Sequence, residues 1–179
     1  SSIIEKGAPL KGNPLLKNVL QQAGYKPGTF VFEMALIIGT KEGWLPNANR
    51  GAGSRSYRNN NPGNLDYSNS LKRIDPKVII EPGGRFARFS TAELGAKALI
   101  ENKIKRWGNG DMPVTAGNQT LISPLSRWKK GTPPTLEQFM YTYAPPNENN
   151  TELYIQNILT SLQKNYPKFT RNSLIKTFF

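Results

Sequence analysis

The apolar segment FVFEMALII, residues 30–38, decides how this chain folds. Apolar side chains occupy nearly all of it, which is typical of a helix buried on every side. Thr29 is a candidate N-cap, and Glu33 lies in the first turn, where the helix dipole favours an acid. Gly39 weakens the helix near its end. We therefore expect Glu42 to lie at, or just beyond, the C-terminus of a buried helix.

Start and stop signals divide the rest of the chain into further helices and polar loops. Asn13 followed by Pro14 is typical of a helix start, and Gly24 of a helix end. Capping-box spacing opens three more helices, at Ser90 with Glu93, at Thr135 with Gln138 and at Asn149 with Glu152. These signals predict helices at about 14–23, 90–108, 135–144 and 149–164.

The remaining segments are predicted to be mostly irregular. In KVIIEPGGRFARFS, residues 77–90, two β-type runs flank a Pro-Gly-Gly turn and predict a short hairpin. The stretches 46–80 and 109–134 are loop-like, and the tail RNSLIKTFF predicts a last short helix. We expect one mainly α (α+β) domain over residues 1–179 with at most a small β-hairpin.

Composition narrows the chemistry that this chain can perform. It contains no cysteine and no histidine. Disulfides, thiol nucleophiles, Ser-His-Asp triads and histidine-based metal sites are therefore excluded. Acid–base chemistry would fall to Asp, Glu, Tyr or Lys, and we expect neither a metal nor a cofactor.

A formal net charge of +12 favours polyanionic partners such as nucleic acid, anionic lipid or a bacterial cell wall. The 24 basic residues are dispersed and form no known reading motif, so no nucleic-acid partner is expected. No apolar run reaches the ~20 residues that span a membrane, so membrane insertion is not expected. The opening SSIIEKGAPL carries no visible signal peptide. We expect a monomer.

Glu42 is the leading candidate for acid–base chemistry. Apolar burial beside Trp44 disfavours its charged form, and so does the negative end of the helix dipole. Both influences raise the pKa, as a general acid requires at neutral pH. The alternative is a solvated carboxylate between Lys41 and a loop.

The loop RNNNPGNL, residues 58–65, is the second candidate feature. Pro62-Gly63 fits a type II turn. Asparagines here either satisfy loop backbone groups or read the acetamido and hydroxyl groups of a sugar-like ligand; they are Asn59, Asn60, Asn61 and Asn64. Arg58 is either a surface charge or a partner for Asp66.

Aromatic residues supply further candidates. Tyr143 precedes a double proline and either packs in the core or lines a groove with its hydroxyl available to a ligand. Trp107 and Trp128 leave the same two alternatives open. Glu148 is either a solvated loop acid or a second catalytic carboxylate.

Taken in order, EGW, RNNNPGNL, FARFSTAELGAKAL and TLEQFMYTYAPPNENNTELYI resemble the lysozyme-like domains of phage and bacterial cell-wall-degrading proteins, which are related to lytic transglycosylases. The resemblance covers about residues 30–163; the N-terminal helix within 1–28 and the tail 164–179 lie outside it. It implies a two-lobed helical fold with one essential glutamate at the end of a buried helix, which Glu42 matches. The asparagine-rich loop would form one wall of the cleft, and Tyr143 would match an active-site tyrosine.

This resemblance implies cleavage of β-1,4 links in peptidoglycan glycan strands by a protein of the cell envelope, the extracellular space or a phage virion. The substrate-binding candidates are Trp44, Arg58, Asn59, Asn60, Asn61, Asn64 and Tyr143. Asp66 and Glu148 are the candidates for a second carboxylate. EGW stands where lytic transglycosylases often have Glu-Ser, which leaves lysozyme and transglycosylase chemistry both open. A non-catalytic wall- or chitin-binding module is the alternative function.

Overall fold

A computed structural model describes residues 14–113 and 127–179 of the chain. They form a mainly helical fold with one small sheet, as the sequence predicts. The α-helices are α1 (Pro14–Gln22), α2 (Phe30–Lys41), α3 (Arg55–Arg58), α4 (Ala92–Ala98), α5 (Arg106–Gly108), α6 (Leu136–Tyr143) and α7 (Thr151–Leu162). Short 3₁₀ helices span Asn69–Arg73 and Ile175–Phe178. The predicted N-cap Asn13 and residues 114–126 lie outside the described residues.

Helix α2 is the centre of the hydrophobic core. Its residues from Met34 to Gly39 are all buried, and it packs against α1, α7 and the helical segment 99–105. Gly39 allows α1 a close approach, because a Cβ atom there would lie 2.3 Å from Leu16 Cδ2. The predicted buried helix is therefore confirmed, and its apolar surface is covered by helices from distant parts of the chain.

A glycine turn ends α2 at the point where Glu42 lies. Trp44 N–H donates to Gly39 O over 3.2 Å and Gly43 N–H donates to Thr40 O over 3.1 Å, which is the Schellman pattern. Gly43 has a φ of 83°, a value that only glycine adopts readily. Glu42 is the C-cap residue, so this turn fixes where its side chain begins.

Helix α4 is capped one residue later than the sequence predicts. Thr91, and not Ser90, accepts from Leu94 N–H over 3.2 Å. Ser90 instead donates its N–H and hydroxyl to the buried carboxylate of Asp75. A tertiary contact therefore decides between two adjacent residues that can both cap a helix.

The cap of α7 is also one residue later than predicted. Asn150, and not Asn149, accepts from Leu153 N–H over 3.1 Å. The predicted capping box of α6 is confirmed, since Thr135 and Gln138 make both of its reciprocal hydrogen bonds. Sequence spacing thus locates all of these helix starts to within one residue.

The predicted hairpin is confirmed as two short antiparallel strands, β1 (Ile79–Ile80) and β2 (Ala87–Arg88). Ile79 pairs with Arg88, and Ile80 pairs with Ala87. The hairpin also contacts the end of the asparagine-rich loop, because Ala87 N–H donates to Leu65 O over 2.9 Å. It therefore brings residues near 85 beside residues near 66.

The helical run 92–108 contains an interruption that the sequence does not predict. Between α4 and α5, residues Leu99–Lys105 form a π-helical segment. Such wider turns are rare and shift the side chains that follow them around the helix axis. Within the described residues, none of the helices is long and apolar enough to cross a membrane.

Candidate active site

An open cavity of about 430 Å³ lies beside the C-terminus of α2. We call it the Glu42 cavity. Its walls come from the end of α2, the asparagine-rich loop, the hairpin turn, the π-helical segment with α5, and the end of α6. Its lining residues include Glu42, Asn64, Asp66, Arg85, Lys103, Trp107, Tyr143 and Glu148.

Two side chains from distant segments hold the Glu42 carboxyl group. The hydroxyl of Tyr154, on α7, donates to Oε2 over 3.0 Å. The amide nitrogen of Asn64 lies 3.4 Å from Oε1 and donates to the backbone oxygen of Glu42 over 3.1 Å. The carboxyl group is therefore partly buried and oriented, yet still lines the cavity.

The pKa of Glu42 is raised above its ordinary value, chiefly because burial disfavours the charged form. The hydrogen bonds from Tyr154 and Asn64 and the charge of Lys41 act in the opposite direction. Burial wins, so the group retains its proton to a higher pH than a solvated glutamate does. This is the electrostatic state that a general acid needs.

Asn64 takes its position from a turn that differs from the predicted one. Asn64 N–H donates to Asn61 O over 3.0 Å, so Pro62 and Gly63 occupy the two central positions. Gly63 lacks the positive φ of a type II turn, whereas Asn64 itself has a φ of 47°. Asparagine tolerates this left-handed conformation better than most residues, and it aims the Asn64 amide at Glu42.

Two of the predicted substrate-binding asparagines are structural. Asn59 and Asn61 are 1% and 0% exposed. Asn61 donates to the carbonyl oxygens of Leu65 and Ala87, and Asn59 donates to the buried carboxylate of Glu81 over 2.8 Å. A substrate cannot contact side chains enclosed in this way, so these two join the loop to the hairpin instead.

Asn60 also binds the protein itself. Its amide donates to Phe89 O over 3.0 Å, and its backbone oxygen lies against α4. A Cβ atom at Gly95 would lie 1.7 Å from that oxygen, so α4 can approach the loop only at a glycine. Asn64 is thus the one predicted asparagine that contacts Glu42.

Arg58 and Trp44 also lie away from the cavity. Arg58 is exposed and donates to Gly53 O over 2.7 Å; it does not pair with Asp66, which binds Arg85. Trp44 is 2% exposed and packs edge-on against Tyr57. Trp44 contributes to the apolar surroundings of the turn after α2 and does not offer a face for stacking on a sugar.

Tyr143 lines the cavity, as expected of a groove residue. Its hydroxyl donates to Gly63 O over 2.5 Å, which ties the end of α6 to the asparagine-rich loop. Its ring stacks on Phe139. Burial and the nearby carboxyl groups of Glu42 and Asp66 raise its pKa well above the ordinary value, so the hydroxyl stays protonated at neutral pH.

The two candidates for a second carboxylate share one arginine. Arg85 Nε lies 3.2 Å from Asp66, and its Nη2 lies 3.5 Å from Glu148. The side chains of Asp66 and Glu148 are 64% and 50% exposed. Both line the cavity, but neither is buried and oriented as Glu42 is.

Three residues of the cavity or its surroundings are not predicted from the sequence: Tyr154, Arg85 and Lys103. A signal for Tyr154 exists, because a tyrosine on the apolar face of a helix needs a partner for its hydroxyl. Lys103 and Trp107 are four residues apart on one helical run, a spacing that places them on one face. The Lys103 Nζ atom lies 4.3 Å from the Trp107 ring centroid.

In residues 14–113 and 127–179, no group of three or more acidic side chains is arranged to hold a metal ion. Comparisons of the chain with known protein families, with curated proteins and with solved structures found no match.

Proposed function

We propose that the protein cleaves β-1,4 glycosidic bonds of peptidoglycan glycan strands, with Glu42 as the general acid and then the base. The observation that supports this proposal is the Glu42 carboxyl group itself. It lies at the wall of an open cavity, its pKa is raised by burial, and Tyr154 and Asn64 orient it. Such a substrate places the protein in the cell envelope or outside the cell.

The lining of the Glu42 cavity suits a polar, uncharged sugar. Asn64 lines the cavity with an uncharged amide, a group that can form hydrogen bonds with the hydroxyl and acetamido groups of a sugar. Trp107 also lines the cavity, but it is 7% exposed and lies beneath the Lys103 ammonium group, so it contributes an apolar wall and not an open stacking face. A cavity of about 430 Å³ accommodates a few sugar rings at most.

In the proposed reaction, the protonated Glu42 carboxyl donates its proton to the glycosidic oxygen. The bond from C1 to that oxygen then breaks, and the leaving sugar departs as an alcohol. The 6-hydroxyl of the same sugar attacks the oxocarbenium-like centre at C1, and the proton of that hydroxyl passes to the Glu42 carboxylate. The product is a 1,6-anhydro sugar, no water is consumed, and a single carboxyl group suffices.

The cavity favours this route over hydrolysis because a second catalytic carboxylate is not well placed. A glycosidase of two carboxylates needs one to activate water or to attack C1. Asp66 and Glu148 are exposed and both bind Arg85. Neither carboxylate is enclosed and held by two side chains as Glu42 is, so we assign neither of them that role.

The test is wall digestion by the parent protein and three variants, with mass spectrometry of the products. Glu42→Gln should abolish fragment release, by about 10³-fold or more, because it removes the proton donor. Asp66→Asn and Glu148→Gln should each retain measurable activity, and the parent should yield 1,6-anhydro ends. Fragment release by Glu42→Gln at the parental rate would refute the assignment of Glu42.

Two other outcomes would change the mechanism. Reducing-end products together with complete loss in a folded Asp66→Asn variant would make the protein a lysozyme of two carboxylates. Wall binding without any released fragment would indicate a non-catalytic binding module. The exposed, arginine-paired state of Asp66 and Glu148 is what favours that second candidate function.

A further inference from the structure

A second cavity, of about 550 Å³, adjoins the Glu42 cavity. Lys103, Trp107 and Pro113 line both, so the two cavities meet at these side chains, and we call the pair the groove. We call the second one the basic cavity, because Lys103, Arg106 and Lys130 line it against a single acid, Asp111. The groove is therefore divided by charge.

The other end of the groove is close to electroneutral. In the Glu42 cavity the two acids Asp66 and Glu148 face the two bases Arg85 and Lys103, and Glu42 is the proton donor of the proposed reaction. A substrate lying along the whole groove would be favoured if its uncharged part lay beside Glu42 and an anionic part lay beyond Lys103.

Lys103 stands at the junction without a carboxylate of its own. No carboxylate oxygen of the described residues lies within salt-bridge distance of its Nζ atom, which rests over the Trp107 ring. Burial lowers the pKa of Lys103 to about 8. A partly buried ammonium group in this position gains when an anion binds beside it.

Asn102 is a second polar residue that lines the basic cavity. It is 6% exposed, and its amide nitrogen is buried without a hydrogen-bond partner in the described residues. Its Oδ1 accepts from Arg106 over 3.4 Å, and Arg106 also binds the exposed carboxylate of Asp111 over 2.6 Å. An unpartnered buried donor beside an unpaired cation is the arrangement expected where an acceptor from a ligand binds.

We propose that the basic cavity binds the carboxylate of a short acidic peptide attached to the glycan that is cleaved in the Glu42 cavity. This inference rests on the proposed function. In peptidoglycan the acidic peptide is linked to the sugar ring itself, so its carboxylates lie within a short distance of the glycosidic bond. The contiguity of the two cavities matches that connection, and the charge division fixes the direction in which the substrate lies.

The test is calorimetric binding to the Glu42→Gln variant, which holds ligand without turnover. The probes are N-acetylmuramyl-L-alanyl-D-glutamate and its fully amidated counterpart. The acid should bind about tenfold more tightly than the amide. The variants Lys103→Met and Lys130→Met should lose most of that preference. Lys130 lies in an exposed turn, so its substitution does not threaten folding.

Lys97→Met is the matched control. Lys97 is exposed in the last turn of α4, on the same helical run, and lines neither cavity. The Lys97→Met substitution removes the same charge as Lys103→Met and should leave the preference for the acid unchanged. Equal affinity for acid and amide would overturn the inference, and so would equal losses in the Lys97 and Lys103 variants. Competition by inorganic phosphate without any acid preference would indicate a phosphate site instead, and would also overturn it.

The two proposals fail in distinguishable ways. If parent protein releases wall fragments but shows no preference for the acid, only the peptide subsite is wrong. If it binds the acidic probe through Lys103 but releases no fragment, the subsite stands and the cleavage reaction is wrong.

Discussion

The Glu42 carboxyl group lies where two requirements conflict. The proposed catalysis needs a carboxyl group that keeps its proton, and burial favours this by raising the pKa of Glu42. The same burial penalises the folded state whenever the group is ionised. Tyr154 and Asn64 reduce that penalty without removing it, because their hydrogen bonds lower the pKa less than burial raises it.

This conflict predicts that Glu42→Gln stabilises the fold in a pH-dependent manner. The folded pKa lies above the ordinary value of 4.5. The contribution of Glu42 is thus most favourable below pH 4.5 and is lost as the pH rises through the folded pKa. Glutamine cannot ionise, so the variant should gain about 1 kcal/mol, or about 2–4 °C in Tm, at pH 7 and much less near pH 4.

Thermal unfolding of parent and variant at both pH values measures the effect. Glu33→Gln is the control, because Glu33 lies in the first turn of the same helix, where a negative charge is favourable. It should give no gain at pH 7. A Tm shift for Glu42→Gln that is the same at both pH values would show that burial does not penalise the ionised carboxyl.

Among the structural elements, the turn that ends α2 fixes the position of Glu42, the residue to which we assign the proposed chemistry. Gly43→Ala forces a left-handed conformation on alanine and should cost about 1 kcal/mol of stability. Because Glu42 is the adjacent C-cap, the carboxyl should also move relative to Tyr154, and wall-clearing activity should fall about tenfold. Unfolding and activity assays on one preparation measure both effects.

Helix α1 supplies a matched control for this prediction. It ends in the same motif, with Tyr25 N–H donating to Leu20 O and Gly24 N–H donating to Gln21 O. Gly24 has a φ of 96° and open space around its missing Cβ. Gly24→Ala should lose similar stability and keep nearly full activity. Equal activity losses in the two variants would contradict a positioning role for the turn.

These elements also show how much of the fold and of the site can be predicted from the sequence alone. Local signals suffice for the buried helix, its end at Glu42 and the hairpin, because each depends on residues a few positions apart. They do not suffice for the Tyr154 contact, which joins residues 112 positions apart. Nor does any local pattern reveal that Asn59 and Asn61 are enclosed by the hairpin. The composition of the asparagine-rich loop suggests a sugar site, but most of its amides hold the loop together.

For the molecule as a whole, the proposed function predicts that the net charge of +12 acts on association with the wall rather than on the chemical step. Intact walls are polyanionic surfaces that meet many of the dispersed basic residues at once. Salt screens such long-range attraction, since the Debye length falls from ~30 Å at 0.01 M to ~3 Å at 1 M ionic strength. A short soluble glycan reaches only the groove, where partly buried charges are screened less.

We therefore expect the salt dependence of cleavage to differ between two substrates of the same chemistry. Between about 0.05 and 0.5 M NaCl, the rate on intact walls should fall about tenfold, while the rate on a short, peptide-bearing soluble glycan should fall less than about threefold. Rates on both substrates at four salt concentrations measure this. Equal slopes would show that the surface charge does not assist association. A steeper slope on the soluble glycan would place the dominant charge interaction inside the groove, where Lys103 and Arg85 lie.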